Sequence, residues 1–114
     1  MSKPSNLIQG ALDVLILKIL SLEPKHGWAI AKRIQQVSQD VLQIPQGSLY
    51  PALHRREKRG WVISKWETAP DRNREFKYYR LTEKGRKQLL VEESQWKQMA
   101  EAVARVMWPV AEEN

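Results

Sequence analysis

At Gly60 the chain changes texture, and that change limits the folds open to it more than any other feature. Before Gly60, apolar residues recur at helical spacing in three segments; after it come two runs rich in β-branched and aromatic residues, "WVISKW" (Trp61–Trp66) and "EFKYYRL" (Glu75–Leu81). Between the runs lies "ETAPDRNR", whose Pro, Asp and Asn read as a turn with a long charged tip. The order is helix, helix, helix, two-stranded hairpin, followed by one long helix.

The first helix spans Leu7 to Leu22. Leu7, Ile8, Ala11, Leu12, Val14, Leu15, Ile16, Leu17, Ile19 and Leu20 leave it apolar on most of its circumference. Such a helix needs cover on more than one side, and in a chain of 114 residues the second cover is expected to include another subunit. Asp13 and Lys18 interrupt the run, which is far shorter than the ~20 residues of a membrane span. Asp13 is expected to cap or pair locally. A second helix is expected from His26 to about Ser38, with Ile30, Ala31, Ile34 and Val37 inward.

The third helix is expected to begin at Gly47 or Ser48, with Ser48 as cap and Pro51 in the first turn, and to end at Gly60. Leu49, Ala52, Leu53 and Arg56 share one face. The other carries Gly47, Pro51, His54 and Lys58, flanked by Tyr50 and Arg55. That surface is small, aromatic and cationic. Charge is concentrated around it: residues 54–80 hold nine Lys/Arg against four Asp/Glu, whereas residues 92–114 hold two against five. A basic middle and an acidic end suit a polyanion-binding face on one side of the molecule.

The last helix is expected from Glu83, capped by Thr82, to Met107, with Pro109 ending it. Leu89, Glu93, Trp96, Ala100, Val103 and Met107 are spaced 4-3-4-3-4, the seam of a coiled-coil-like contact that requires a mate. Trp108 is either a closing contact or surface.

This order is that of a winged helix-turn-helix: mainly α with a small β-hairpin, the third helix entering the major groove and the hairpin reaching the flanking backbone. Residues 1–81 form the DNA-binding part, 82–108 the dimerisation helix and 109–114 a tail. DNA contacts are assigned to Gln46, Ser48, Tyr50, Pro51, His54, Arg55 and Lys58 on the helix and to Arg72, Arg74 and Lys77 on the wing. The dimer interface is assigned to Leu12, Leu15, Leu89, Glu93, Trp96, Ala100, Val103 and Met107. Trp96 and Leu15 are in addition candidates to hold a flat aromatic effector.

The segments "GALDVLILKILSLEPKHGWAIAKRI", "QGSLYPALHRREKRGWV" and "KYYRLTEKGRKQL" resemble the successive signatures of PadR-type transcriptional regulators, continuously from about Gln9 to Leu90. The length and single C-terminal helix look like the family's short branch. The resemblance implies a homodimeric repressor on a pseudo-palindromic operator, with the C-terminal helix meeting the mate's first and last helices. It also implies, for some members, response to phenolic or flat aromatic compounds. Two positions depart from the pattern: Arg56, where the family usually places leucine, and Trp28, where it more often shows tyrosine. Arg56 is expected to snorkel to water, pair with a carboxylate or reach DNA.

Other classes fit less well. There is no cysteine, and His26 and His54 fall in different segments without ligand spacing, so no metal or cofactor is expected and the compartment is read as cytoplasmic. No Ser/His/Asp grouping, glycine-rich phosphate loop or paired carboxylate set points to catalysis. The rival reading is a winged-helix protein–protein interaction module that never reads DNA.

Overall fold

The computed structural model describes residues 6–69 and 73–111. Its elements run α1 (Asn6–Leu22), β1 (Lys25–His26), α2 (Gly27–Val37), α3 (Gln46–Lys58), β2 (Val62–Ala69), β3 (Arg74–Leu81) and α4 (Glu83–Met107). The fold is four helices with a small antiparallel sheet, a winged helix carrying a long C-terminal helix.

Helix α1 is the central element. Leu12, Val14, Ile16, Leu17, Ile19 and Leu20 are buried among Ile30 and Ile34 of α2, Leu49, Ala52 and Leu53 of α3, Val62, Tyr79 and Leu81 of the sheet, and Leu89 of α4. Ile16, Leu17, Ile30, Leu49 and Leu53 are fully enclosed, each contributing about 1.5–3 kcal/mol of apolar transfer. Most of the cover that α1 needs is therefore supplied by its own chain. Leu15 stays half-buried.

His26 caps α2, its Nδ1 accepting from the Ala29 N–H at 3.3 Å. After α2 the chain turns through Gln39 and Asp40 at φ +55° and +68°, held by Asp40 N–H to the Gln35 carbonyl at 2.9 Å and by Ser38 Oγ accepting from Leu42 N–H at 3.0 Å.

Helix α3 starts earlier than its sequence suggests. Pro45 is the cap residue, its carbonyl accepting from both Ser48 and Leu49 N–H at 3.0 Å, and no side chain caps the helix. Ser48 is thus inside the first turn rather than the cap, and Pro51 lies within the helix. The proline is tolerated because the bond it deletes belongs to the Gly47 carbonyl, on the exposed face. Gly60, at φ +77°, ends the helix as expected, and Trp61 N–H returns to the Arg56 carbonyl at 3.1 Å.

The sheet has three strands, in the order β1-β3-β2, and not two. Lys25 pairs with Tyr79 and His26 with Tyr78, while β2 and β3 pair from Val62↔Leu81 to Ala69↔Arg74. The strands run further than their aromatic cores, to Ala69 and Arg74. Thr82 joins wing to α4: its Oγ1 accepts from Gly85 N–H at 2.9 Å and donates to the Gly60 carbonyl at 2.7 Å. With 25 residues, α4 runs well beyond the core, in a molecule 66 Å in its longest dimension and 32 by 25 Å in the others.

Candidate nucleic-acid interface

Helix α3 sorts its residues as its periodicity demands. Leu49, Ala52, Leu53 and Arg56 are buried; Gln46, Gly47, Tyr50, Pro51, His54, Arg55 and Lys58 are exposed, with Ser48 half-buried. Seven outward positions on one 13-residue helix make a continuous surface; the helix's one carboxylate, half-buried Glu57, lies beside Tyr50 on that side and accepts from Ser64 Oγ of β2.

Tyr50 is less free than an outward aromatic would be. Its ring rests against Gly27 at the start of α2, and it remains 42% exposed. It forms one wall of a cleft of about 380 Å³, lined also by His26, Trp28, Trp66, Glu75, Phe76, Lys77 and Tyr79. The cleft separates the start of α3 from the wing. Trp66, 62% exposed, stands opposite Lys77 in the register and so shares the sheet face of Tyr79. Sequence reasoning passed over Trp66, whose place on this face follows from strand parity only once Val62 is known to be buried. The Tyr79 phenol is buried, which pushes its pKa up, and nearby Glu57 and then Tyr50 add to the shift.

On the wing, Arg74 is exposed with its guanidinium 5.4 Å from the Phe76 ring centre, and the Lys77 ammonium lies 5.7 Å from that of Tyr79. Arg72 lies outside the described residues. Arg80 pairs with Glu67 across the strands at 2.9 Å.

The basic residues of α3 divide into two kinds. His54 and Lys58 face solvent, and Arg55, also exposed, leans back to Asp13 at 3.3 Å. Arg56 is enclosed: it donates to Asp13 of α1 at 2.7 Å and to Glu92 of α4 at 2.8 Å, with its guanidinium 4.9 Å from the Trp61 ring centre. At 8% exposure it does not reach a nucleic acid, and of its three expected fates the carboxylate pairing is the one realised. Asp13 accordingly pairs across the fold and not locally.

The residues assigned to a dimer contact fall into two groups. Leu12 and Leu89 belong to the chain's own core, and Leu15 packs against it. Glu93 is exposed and meets Lys18 at 3.6 Å, while Trp96, Ala100, Val103 and Met107 are exposed along α4, as are Met99, Val106 and, beyond the helix, Trp108. Trp108 is exposed and closes nothing among the described residues. Leu15 and Trp96 are brought together: both line an apolar cavity of about 290 Å³ with Ala11, Leu12, Val14, Leu42 and Ile44. On its other side Trp96 borders a more polar cavity of about 530 Å³, with Asp13, Arg56, Glu92, Gln95 and Met99.

Among the described residues, no group of three or more His, Asp or Glu side chains is placed to hold a metal ion, and no helix is long and apolar enough to cross a membrane.

Residues 16–91 match the model of the transcriptional regulator PadR-like family. The fold is similar to that of a transcriptional regulator from Clostridium thermocellum (27% identity, TM-score 0.79, 89% of this chain and 97% of that one). It is also similar to a PadR family transcriptional regulator from Eggerthella lenta (30% identity, TM-score 0.74, 92% and 88%). A PadR-like transcriptional regulator from Bacillus cereus superimposes at TM-score 0.76, with 25% identity over 91% of this chain and 98% of its own. The chain belongs to the PadR-like family of transcriptional regulators.

Proposed function

We propose that the protein is a cytoplasmic homodimeric repressor. It binds a pseudo-palindromic operator through the outward face of α3 and the wing, and a flat aromatic or phenolic effector held beside Trp96 and Leu15 releases it. The observation that carries this reading is the outward face of α3 beside a wing bearing Arg74 and Lys77. On that face His54, Arg55 and Lys58 are exposed, while the helix's one carboxylate, Glu57, is half-buried against Ser64. Small Gly47 and Ser48 allow close approach to a groove, Tyr50 and Gln46 supply hydrogen-bonding tips, Pro51 offers an apolar contact to a thymine methyl, and His54, Arg55 and Lys58 follow the phosphates. Arg72, outside the described residues, is assigned to the wing from the sequence alone. The exposed stripe of Trp96, Ala100, Val103 and Met107 on α4 supports a dimer in which residues 82–108 join the copies, Glu93 and half-buried Leu15 lie at its margin, and Leu12 and Leu89 support it from within. The shared Trp96–Leu15 cavity supports an effector seat.

The test is selection of bound duplexes from random-sequence DNA, followed by anisotropy titration at several salt concentrations. Two related half-sites about one helical turn apart, ~34–36 Å, are expected. The log–log salt slope should be near 0.9 per phosphate contacted. Affinity indifferent to salt, or unchanged when Tyr50→Ala and Arg55→Ala are combined, removes the DNA reading and favours a protein-docking module. Tyr50 is the sharper probe, since Arg55 also serves Asp13.

A further inference from the structure

We infer that Arg56 is a positioning residue: its guanidinium sets the angle between α3 and α4, and thereby the half-site spacing that the dimer accepts. This rests on the proposed dimeric DNA binding and adds a specificity determinant that touches no DNA.

Arg56 lies on the inner face of α3, between exposed Arg55 and half-buried Glu57. One terminal nitrogen, Nη1, donates to Glu92 on α4 at 2.8 Å; the other, Nη2, donates to Asp13 on α1 at 2.7 Å. The plane of the group lies by the Trp61 ring, 4.9 Å from its centre, where α3 hands over to β2. A guanidinium is rigid and flat, so its fork fixes two bond directions and its face a third. Three helices, and the turn that follows α3, are registered against one side chain. Glu92 is itself held by Gln88, whose Nε2 donates to the same oxygen at 2.8 Å.

Stability is a poor reason for this arrangement. Arg56, Asp13 and Glu92 are all largely withdrawn from solvent, with side chains 10%, 21% and 14% exposed, and Arg56 Nε is buried with no partner. Buried ion pairs recover their desolvation poorly, and apolar side chains of similar size often serve stability as well or better. What apolar packing does not supply is direction: two smooth surfaces slide, whereas a forked charge pair has one register. The bridge joins the helix that carries the reading surface to the helix that would carry the mate. A degree of freedom at this joint changes the distance between the two reading helices without changing either one.

The experiment uses duplexes carrying the half-sites selected by the wild-type protein, with the spacer shortened or lengthened one base pair at a time. Wild-type protein, Arg56→Leu, Arg56→Lys and Glu92→Gln are titrated against each, and fold is checked by circular dichroism and thermal unfolding. Wild type should lose about tenfold in affinity for each base pair away from the optimum, since spacing is a geometric constraint on a rigid dimer. Arg56→Leu should lose no more than about threefold while keeping its affinity for a single half-site, and Arg56→Lys should fall between, because an ammonium keeps charge without the fork. Glu92→Gln leaves the Asp13 pairing in place and serves if Arg56→Leu does not fold; it too should broaden the profile. Folded variants whose spacing profiles superimpose on the wild type overturn the inference and leave the DNA reading standing. Wild-type protein that binds no duplex at all overturns both.

Discussion

The ring of Tyr50 occupies the place where a side chain on Gly27 would be: a Cβ there would stand 2.6 Å from Cε1 and 2.9 Å from the phenol oxygen. The start of α2 thus sets the pose of the aromatic that α3 presents. Substituting Gly27→Ala should turn the ring away while changing stability by no more than about 1 kcal/mol, since alanine is the better helix former. DNA affinity should fall about tenfold in an anisotropy titration. Tyr50→Ala added to Gly27→Ala should cost less than it does alone, because contacting residues couple.

Gly85→Ala acts on the frame instead. An added Cβ would stand 2.1 Å from the Trp61 carbonyl oxygen and 2.7 Å from Leu81 Cδ1. That carbonyl already accepts from Thr82 N–H at 3.0 Å, so the backbone there has little room to yield. Overpacking of this kind should cost roughly 1–3 kcal/mol, lowering Tm by roughly 5–15 °C at matched protein concentration in a thermal melt.

Alkaline pH should weaken the fold through Tyr79. Burial, then the charge of Glu57 and then that of Tyr50, raise its pKa above the ordinary 10.0, so the folded chain keeps the proton after the unfolded chain has released it. Stability is therefore untouched by this group below pH 10, declines as pH passes 10, and levels off above the folded value. Tyr79→Phe should flatten the decline. Urea midpoints measured between about pH 8 and 11 test this.

Val103 is 43% exposed and Met99 48% in the single chain, so charge at either leaves the fold intact. Val103→Asp should instead weaken self-association, by at least about a hundredfold if it buries an unpaired carboxylate in a seam. Sedimentation velocity over a dilution series reads the change, with unaltered circular dichroism as the control.

Helices α1, α3 and α4 were legible because each pairs an apolar stripe with a clear stop: Pro24 after α1, Gly60 after α3, Pro109 after α4. The hairpin was legible from its aromatic runs, but its extent was not. Glu67 and Ala69 have little strand preference of their own and are paired because the register carries them on. Strand β1 was invisible for a similar reason: two residues, Lys25 and His26, show no period, and only Tyr78 and Tyr79 make them a strand. The start of α3 was misplaced because Ser48 suits a cap so well; the chain uses the Pro45 carbonyl instead.

Surface composition pointed to the outward face of α3, yet three features of the site lie beyond a linear reading. Asp13 and Arg56 are far apart in the chain, and nothing local marks them as partners. The Tyr50–Gly27 contact depends on how α2 and α3 cross. Trp66 joins the cleft only once strand parity is anchored by Val62.

The reach of α4 has a mechanical side. Fifteen residues separate Glu92, its last tie to α3, from Met107 at its end, about 22 Å at 1.5 Å per residue. A tilt of about 5° at Glu92 therefore swings the tip by about 2 Å, more than half the diameter of a carbon atom. The helix works as a lever hinged where it leaves the body of the fold.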